Sequence, residues 1–224
     1  MTQDPNVQSV EFAANALGTI MDELVLVGGC AVGLLITDQA RPPIRQTVDV
    51  DLLTEVTPLG NYYKLCDRLR ERGFKENDEV ICRWQFQGLK IDVMPIGESI
   101  LGFTNSWYAE AARTPLLQTL PNGRVIRVIA PRVFVATKLE SFASRGQGDY
   151  LHHDLEDVIN LIDGRPSLVD EIVSTSDEVQ AYVSDELEAL IMKPEFDDRL
   201  IWLLGGQNDR KSIVLERIRK ICGL

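Results

Sequence analysis

Over residues 7–22 the apolar positions Val10, Ala13, Ala14, Leu17 and Met21 recur at helical spacing and predict an amphipathic helix. A short apolar run over 23–27 ends at Gly28-Gly29, and 30–36 is apolar throughout, which reads as strand, glycine turn and buried helix. Arg41-Pro42-Pro43-Ile44-Arg45 breaks regular structure, because consecutive prolines remove donors and fix the backbone. A strand is predicted over 48–53 and an amphipathic helix over 61–72, closed by Gly73. Residues 79–87 and 89–94 flank Gly88 as a hairpin, and 116–120 with 124–129 flank Pro121-Asn122-Gly123 as a second. Between them, 98–113 reads as a loop with a short helix. After Pro131 the pattern turns helical, with segments over 133–144, 149–163, 167–173, 176–190, 197–204 and 211–221. The chain therefore divides near residue 130 into an α/β part and a helical part, with no internal repeat.

At 224 residues, 45% apolar and 25% charged, the composition is that of an ordinary soluble globular protein. The net charge of -11 excludes a global field for polyanions, so nucleic acid would need a local basic patch or a metal. Four scattered cysteines (Cys30, Cys66, Cys82, Cys222) and two histidines give neither a structural zinc pattern nor a disulfide framework, and fit a reducing compartment. The start of the chain lacks a signal-peptide pattern, and the longest apolar stretch is short and broken by Gly28-Gly29. A cytoplasmic protein without a membrane span is expected.

Asp49 and Asp51 lie two residues apart in a predicted strand, so both carboxylates leave it on one side. Asp92 sits in a second apolar strand, Leu89-Lys90-Ile91-Asp92-Val93-Met94. Clustered carboxylates need a counter-ion, and an oxygen-only donor set suits magnesium or manganese. Such ions would bind a triphosphate and stabilise charge during displacement at phosphorus. Gly28-Gly29, at a strand-to-helix junction, lets backbone N–H groups approach a phosphate, with the following helix N-terminus adding positive charge. The plainer reading is that glycine pairs end many strands and that Asp-x-Asp is a solvated strand face. Val48, Val50, Leu52 and Leu53 weigh against it, since unpaired carboxylates beside a core are costly.

Leu26-Val27-Gly28-Gly29-Cys30-Ala31-Val32, followed by Arg45-Gln46-Thr47-Val48-Asp49-Val50-Asp51-Leu52, resembles the nucleotidyltransferases of the DNA-polymerase-β superfamily. The chain is more closely similar to the AbiEii-type group, which includes toxins of bacterial toxin–antitoxin systems. Ala136-Thr137-Lys138-Leu139-Glu140-Ser141-Phe142, Arg145-Gly146-Gln147-Gly148-Asp149-Tyr150 and His153-Asp154-Leu155-Glu156-Asp157-Val158 match that group too. The resemblance spans about residues 24–165. It implies an α+β nucleotidyltransferase fold, a small mixed sheet flanked by helices (1–130) with a C-terminal helical domain (131–224), the nucleotide lying in the cleft between them. It also implies metal-dependent transfer of a nucleoside monophosphate from an NTP to a hydroxyl, with release of pyrophosphate.

On that resemblance Asp49, Asp51 and Asp92 bind Mg2+ or Mn2+, and Asp92 also assists the incoming hydroxyl. Lys138 contacts the triphosphate, Asp154 is the acidic residue of the next helix, and Asp157 follows at i+3 on the same side. Gly28, Gly29, Arg45, Thr47, Lys138 and Asp157 form the implied nucleotide-binding set. Many superfamily members have Gly-Ser where this chain has Gly28-Gly29, so phosphate binding must rest more on backbone groups. The interval from Gly29 to Asp49 is also long, filled by the loop over 41–46.

Several residues keep two readings. Lys138 is either a phosphate contact or a surface lysine paired with Glu140 or Glu156. Asp154 and Asp157 also fit acids that complement a helix dipole. Arg45 suits the aspartate loop, a phosphate oxygen or an ordinary salt bridge. His152 and His153, adjacent on a helix, face different directions and make a poor metal pair. Arg83 with Trp84, and Trp107 with Tyr108, are either base-stacking or core and rim residues. The basic C-terminal segment (Arg210, Lys211, Arg217, Arg219, Lys220) is a solvated helix face or an RNA contact. The resemblance implies an RNA acceptor, such as a tRNA 3′ end, and an antitoxin partner. A transferase acting on an aminoglycoside-type small molecule, or a nucleotide-binding module without turnover, are the alternatives.

Overall fold

The structure, a computed structural model, describes residues 4–38, 44–55, 59–97 and 104–224. The predicted Arg41-Pro42-Pro43 break and the start of the 98–113 segment lie outside these residues. The chain forms two units: the described parts of Met1–Leu34 with Arg45–Ala130, and of Leu35–Ile44 with Pro131–Leu224.

In the first unit, Asp4 caps helix α1 (Pro5–Leu17) by accepting from the Asn6 N–H, and Pro5 occupies a position where a missing donor costs nothing. Val10, Ala13, Ala14 and Leu17 are fully buried on its inner side, as the periodicity predicts. Gly18, at positive φ, ends the helix, and a 3-10 segment (Gly18–Glu23) replaces the rest of the predicted 7–22 helix.

Among the described residues, seven strands follow in a single mixed sheet: β1 (Leu24–Val27), β2 (Asp49–Thr54), β3 (Lys75–Glu76), β4 (Arg83–Phe86), β5 (Leu89–Pro95), β6 (Leu116–Thr119) and β7 (Val125–Val128). Their order is β3-β4-β5-β2-β1-β7-β6, with β2–β5 and β1–β7 parallel and the other pairs antiparallel. The β4–β5 hairpin turns on Gln87 and Gly88, both at positive φ, as a two-residue loop requires. Its first strand begins at Arg83, later than the sequence pattern suggested, because residues 77–82 form turns closed onto the Asn77 side chain.

The other helices described before Ala130 are α2 (Val32–Leu35), α3 (Leu59–Glu71) and α4 (Tyr108–Arg113). Along β2, Val50 and Leu52 are fully buried on one face, joined by Ile91 and Val93 of β5 and Trp84 of β4. This is the apolar side that alternation demands. The α+β architecture expected from the sequence, a mixed sheet flanked by helices, is what the structure has.

The second unit is helical: α5 (Pro131–Arg145), α6 (His153–Gly164), α7 (Leu168–Val173), α8 (Glu178–Ile191), α9 (Pro194–Leu203) and α10 (Asn208–Cys222). Helix α5 is buried continuously from Val133 to Leu139, Thr137 and Lys138 included, and forms the unit's centre. The carbonyls at the end of α6 accept hydrogen bonds from Arg217 at Ile162 (2.7 Å) and Asp163 (2.6 Å). Arg210 pairs with the Asp163 carboxylate at 2.7 Å and with Asp38 at 2.9 Å. A solvated face therefore describes Arg219 and Lys220, which are exposed, but not Arg210 or Arg217. Those two cations cap a neighbouring helix, where cationic donors are favoured. Among the described residues, no helix is long and apolar enough to cross a membrane.

Candidate active site

Where β2 begins, Asn6 is fully buried and fixes the incoming chain. Its side chain accepts from the Thr47 N–H (2.9 Å) and donates to the Arg45 carbonyl (3.0 Å). The Thr47 hydroxyl lies 3.2 Å from the same Asn6 oxygen and 2.7 Å from Cys30 Sγ, and the Cys30 thiol donates to the Asp49 carbonyl at 3.1 Å. Burial pushes that thiol up to about 12, which keeps it protonated and a donor. Thr47 and Cys30 thus hold the backbone that presents Asp49. Asn6, which nothing in the sequence pattern singled out, anchors the segment from 39 residues away.

Sheet register builds the acidic group. Val27 of β1 pairs with Asp51 of β2, Asp51 with Asp92 of β5, and Asp92 with Arg83 of β4. Paired residues share a face, so these four side chains form one row across four strands, with Asp49 two positions along. Each of Asp49, Asp51 and Asp92 offers a carboxylate oxygen, and these oxygens lie within 4.8 Å of one another. Further along the same face, Leu53 and Val25 are buried, so the carboxylates stand where the apolar cover ends. Asp92 is 8% exposed, whereas Asp49 and Asp51 are half-buried.

Gly28 closes the row on one side. Its φ is +66°, and a Cβ built there would lie 1.9 Å from Asp51 Oδ2. Only glycine accepts both that backbone and so close an approach. Gly28→Ala is expected to displace the Asp51 carboxylate and lower stability by about 1 kcal/mol or more. Thermal unfolding and Mn2+ titration of the variant measure the two effects. The helix expected over 30–36 is a 3-10 turn (Gly29–Ala31) followed by the single turn of α2, so its dipole adds little to any phosphate site here.

Of the two readings of Arg83 with Trp84, base stacking or core and rim, the structure gives Trp84 to the core. Trp84 is 1% exposed and belongs to the apolar face, with the Arg70 guanidinium 5.9 Å from its ring. Arg83, on the opposite face, donates from Nε and Nη2 to the two oxygens of Asp92 (2.8 Å each) and from Nη2 to Asp49 Oδ2 (2.6 Å). These hydrogen bonds to Asp92, with the charges of Asp92 and Asp49, hold the guanidinium well above its ordinary pKa. The signal lay in the sequence, since a two-residue turn at Gln87-Gly88 fixes the register that pairs Arg83 with Asp92.

The helical unit carries the second group. Lys138 on α5 is buried, not on the surface, and its ammonium lies 2.9 Å from Asp154 Oδ1 and 2.8 Å from Asp157 Oδ2, both on α6. Arg145 forks onto Asp154 at 2.7 and 2.9 Å. Burial pulls the Lys138 pKa down, but the charges of Asp157 and Asp154 outweigh it and hold it above the usual lysine value. Burial likewise opposes ionisation of Asp154, yet Arg145 and Lys138 together hold its carboxyl well below the ordinary range.

His152 does not lie on a helix as expected. It is the extended N-cap of α6, its Nδ1 accepting from the Asp154 N–H at 3.2 Å. That places its ring 4.1 Å from the His153 ring, centroid to centroid, with both Nδ1 atoms toward Asp154. Lys138 and Arg145 already neutralise Asp154, so this trio is poorly suited to a cation.

The sheet-borne carboxylates suit a divalent ion: three converge, and all donors are oxygen. The fold has solved counterparts. An antigenic nucleotidyltransferase-like protein from Paracoccidioides brasiliensis is 19% identical, covering 89% of this chain and 94% of its own, with a TM-score of 0.52. ANT(2″)-Ia, crystallised with adenylyl-2″-tobramycin, is 14% identical over 82% of this chain and 97% of its own, with a TM-score of 0.48. The first likeness establishes a nucleotidyltransferase-like fold. No protein-family model matches the sequence, and no curated protein matches it significantly.

Proposed function

We propose that this protein is a metal-dependent nucleotidyltransferase, moving a nucleoside monophosphate from an NTP to a hydroxyl acceptor with release of pyrophosphate. The observation that carries this reading is the acidic row, three carboxylate oxygens within 4.8 Å on one sheet face. Asp49, Asp51 and Asp92 would hold Mg2+ or Mn2+, which supplies charge neutralisation for the triphosphate. The acceptor oxygen bonds to the α-phosphorus as the bond to the β-phosphate oxygen breaks, and pyrophosphate leaves with that electron pair. Asp92 takes the hydroxyl proton. Gly28 and Gly29 present backbone to phosphate, and Arg45 is a further phosphate donor.

In the helical part, the Lys138 ammonium lies between two carboxylates. Asp154 and Asp157 hold that ammonium in place. The division near residue 130 gives each group its own scaffold, with the described part of Leu35–Ile44 going with the helices. The sequence resemblance to AbiEii-type proteins supports a toxin-like enzyme in the cytoplasm, with tRNA or another RNA as acceptor and a protein antitoxin as inhibitor.

Incubating the protein with labelled NTPs, Mg2+, total tRNA and a panel of aminoglycosides tests this reading. Label on RNA is the expected result. Label on an aminoglycoside would replace the RNA acceptor but keep the chemistry. Nucleotide binding without transfer would leave a non-catalytic binding module.

A further inference from the structure

Arg83 holds the metal-facing carboxylates more tightly than a bystander would. Its guanidinium engages both oxygens of Asp92 at 2.8 Å and one of Asp49 at 2.6 Å, a forked, charge-assisted contact. A carboxylate held at both oxygens has given its best-directed lone pairs to the fork and keeps poorer ones for a metal. The charge is permanent, because a guanidinium does not deprotonate in this range, and a fixed positive charge beside the row repels a divalent ion. The Arg83 side chain is 22% exposed, so the cation is partly open to solvent.

We propose that Arg83 is an exchangeable counter-cation of the acidic row. It neutralises and orders Asp92 and Asp49, and it must release Asp92 before that carboxylate ligates a metal, so it sets the metal affinity of the site. The inference rests on the metal-site reading above. It predicts that removing the residue strengthens metal binding, opposite to the effect of removing a ligand or a group that merely orients one.

The experiment is a Mn2+ titration of the full chain, followed by electron paramagnetic resonance and by the rise in Tm at saturating Mn2+. Wild type is compared with Arg83→Gln, Arg83→Lys and Asp51→Asn at fixed ionic strength. Arg83→Gln should bind Mn2+ about tenfold more tightly than wild type and gain a larger Tm rise. Arg83→Lys, which keeps the charge but loses the fork, should fall between the two and serves where Arg83→Gln folds poorly. Asp51→Asn should lose binding. Equal or weaker binding by both Arg83 variants, with Asp51→Asn still abolishing it, overturns the role of Arg83 and leaves the metal site standing. No Mn2+ binding by any of the proteins overturns both.

Discussion

Asp51→Ala, and separately Asp49→Ala, should reduce nucleotidyl transfer by about three orders of magnitude, equivalent to about 4 kcal/mol of transition-state stabilisation. The fold should survive both changes. Asp49 and Asp51 are half-buried on the polar face of β2, while the core on the other face is built by Val50 and Leu52. Neither substitution opens a cavity there, and each removes one of three clustered like charges. In Asp49→Ala, Arg83 keeps its fork on Asp92. The unfolding temperature should therefore stay level or rise while initial rates collapse. Initial rates with labelled NTP, set beside thermal melts of the same preparations, decide the matter. Full activity in either variant would remove the carboxylates from the mechanism.

The second large effect falls on stability. Lys138→Met should cost about 3–5 kcal/mol, because it leaves Asp154 and Asp157 buried without the ammonium that bridges them. Urea unfolding measures the loss. The pH dependence follows from the two shifted groups. Asp154 titrates below its unfolded value despite burial, through Arg145 and Lys138, so its contribution is present above the ordinary carboxylate range and is lost as pH falls through the depressed folded value. Lys138 titrates above its unfolded value, burial being outweighed by Asp157 and Asp154. Its contribution is complete below the ordinary lysine range and is lost as pH rises through the folded value. Wild type should thus hold a plateau between these limits. Lys138→Met should unfold in acid at higher pH, since Asp154 would then keep Arg145 but lose the buried ammonium. An unchanged acid midpoint would contradict the bridging role.

The first hairpin explains why one side of the acidic row was readable in advance and another was passed over. Asp49 and Asp51 announce themselves through alternation within one strand, a pattern that needs no partner. Arg83 becomes visible only once the β4–β5 register is counted outward from Gln87-Gly88, which places it opposite Asp92. The apolar pattern runs back to residue 79, beyond the start of β4, and so hides that count. His152 illustrates a different limit. Apolar periodicity carried the helix over 149–163, but α6 starts at His153, and a cap position turns a side chain back onto its own helix. Lys138 looked like a residue beside an apolar face. Its burial follows from α5 lying at the centre of the helical unit, which no window along one helix reveals.

Local order along the chain was enough to give the α+β class, the strand carrying two carboxylates, the glycine turn and the change to helices near Pro131. Such features depend on neighbours a few residues apart, and alternation or helical spacing records them directly. The pairing of Asp51 with Asp92, the reach of Arg83 to Asp49, the anchoring of Thr47 by Asn6 and the burial of Lys138 between two aspartates came from folding alone. Each joins residues that are distant in the chain, and what brings them together is hydrogen-bond register and packing between elements, which one-dimensional spacing does not encode.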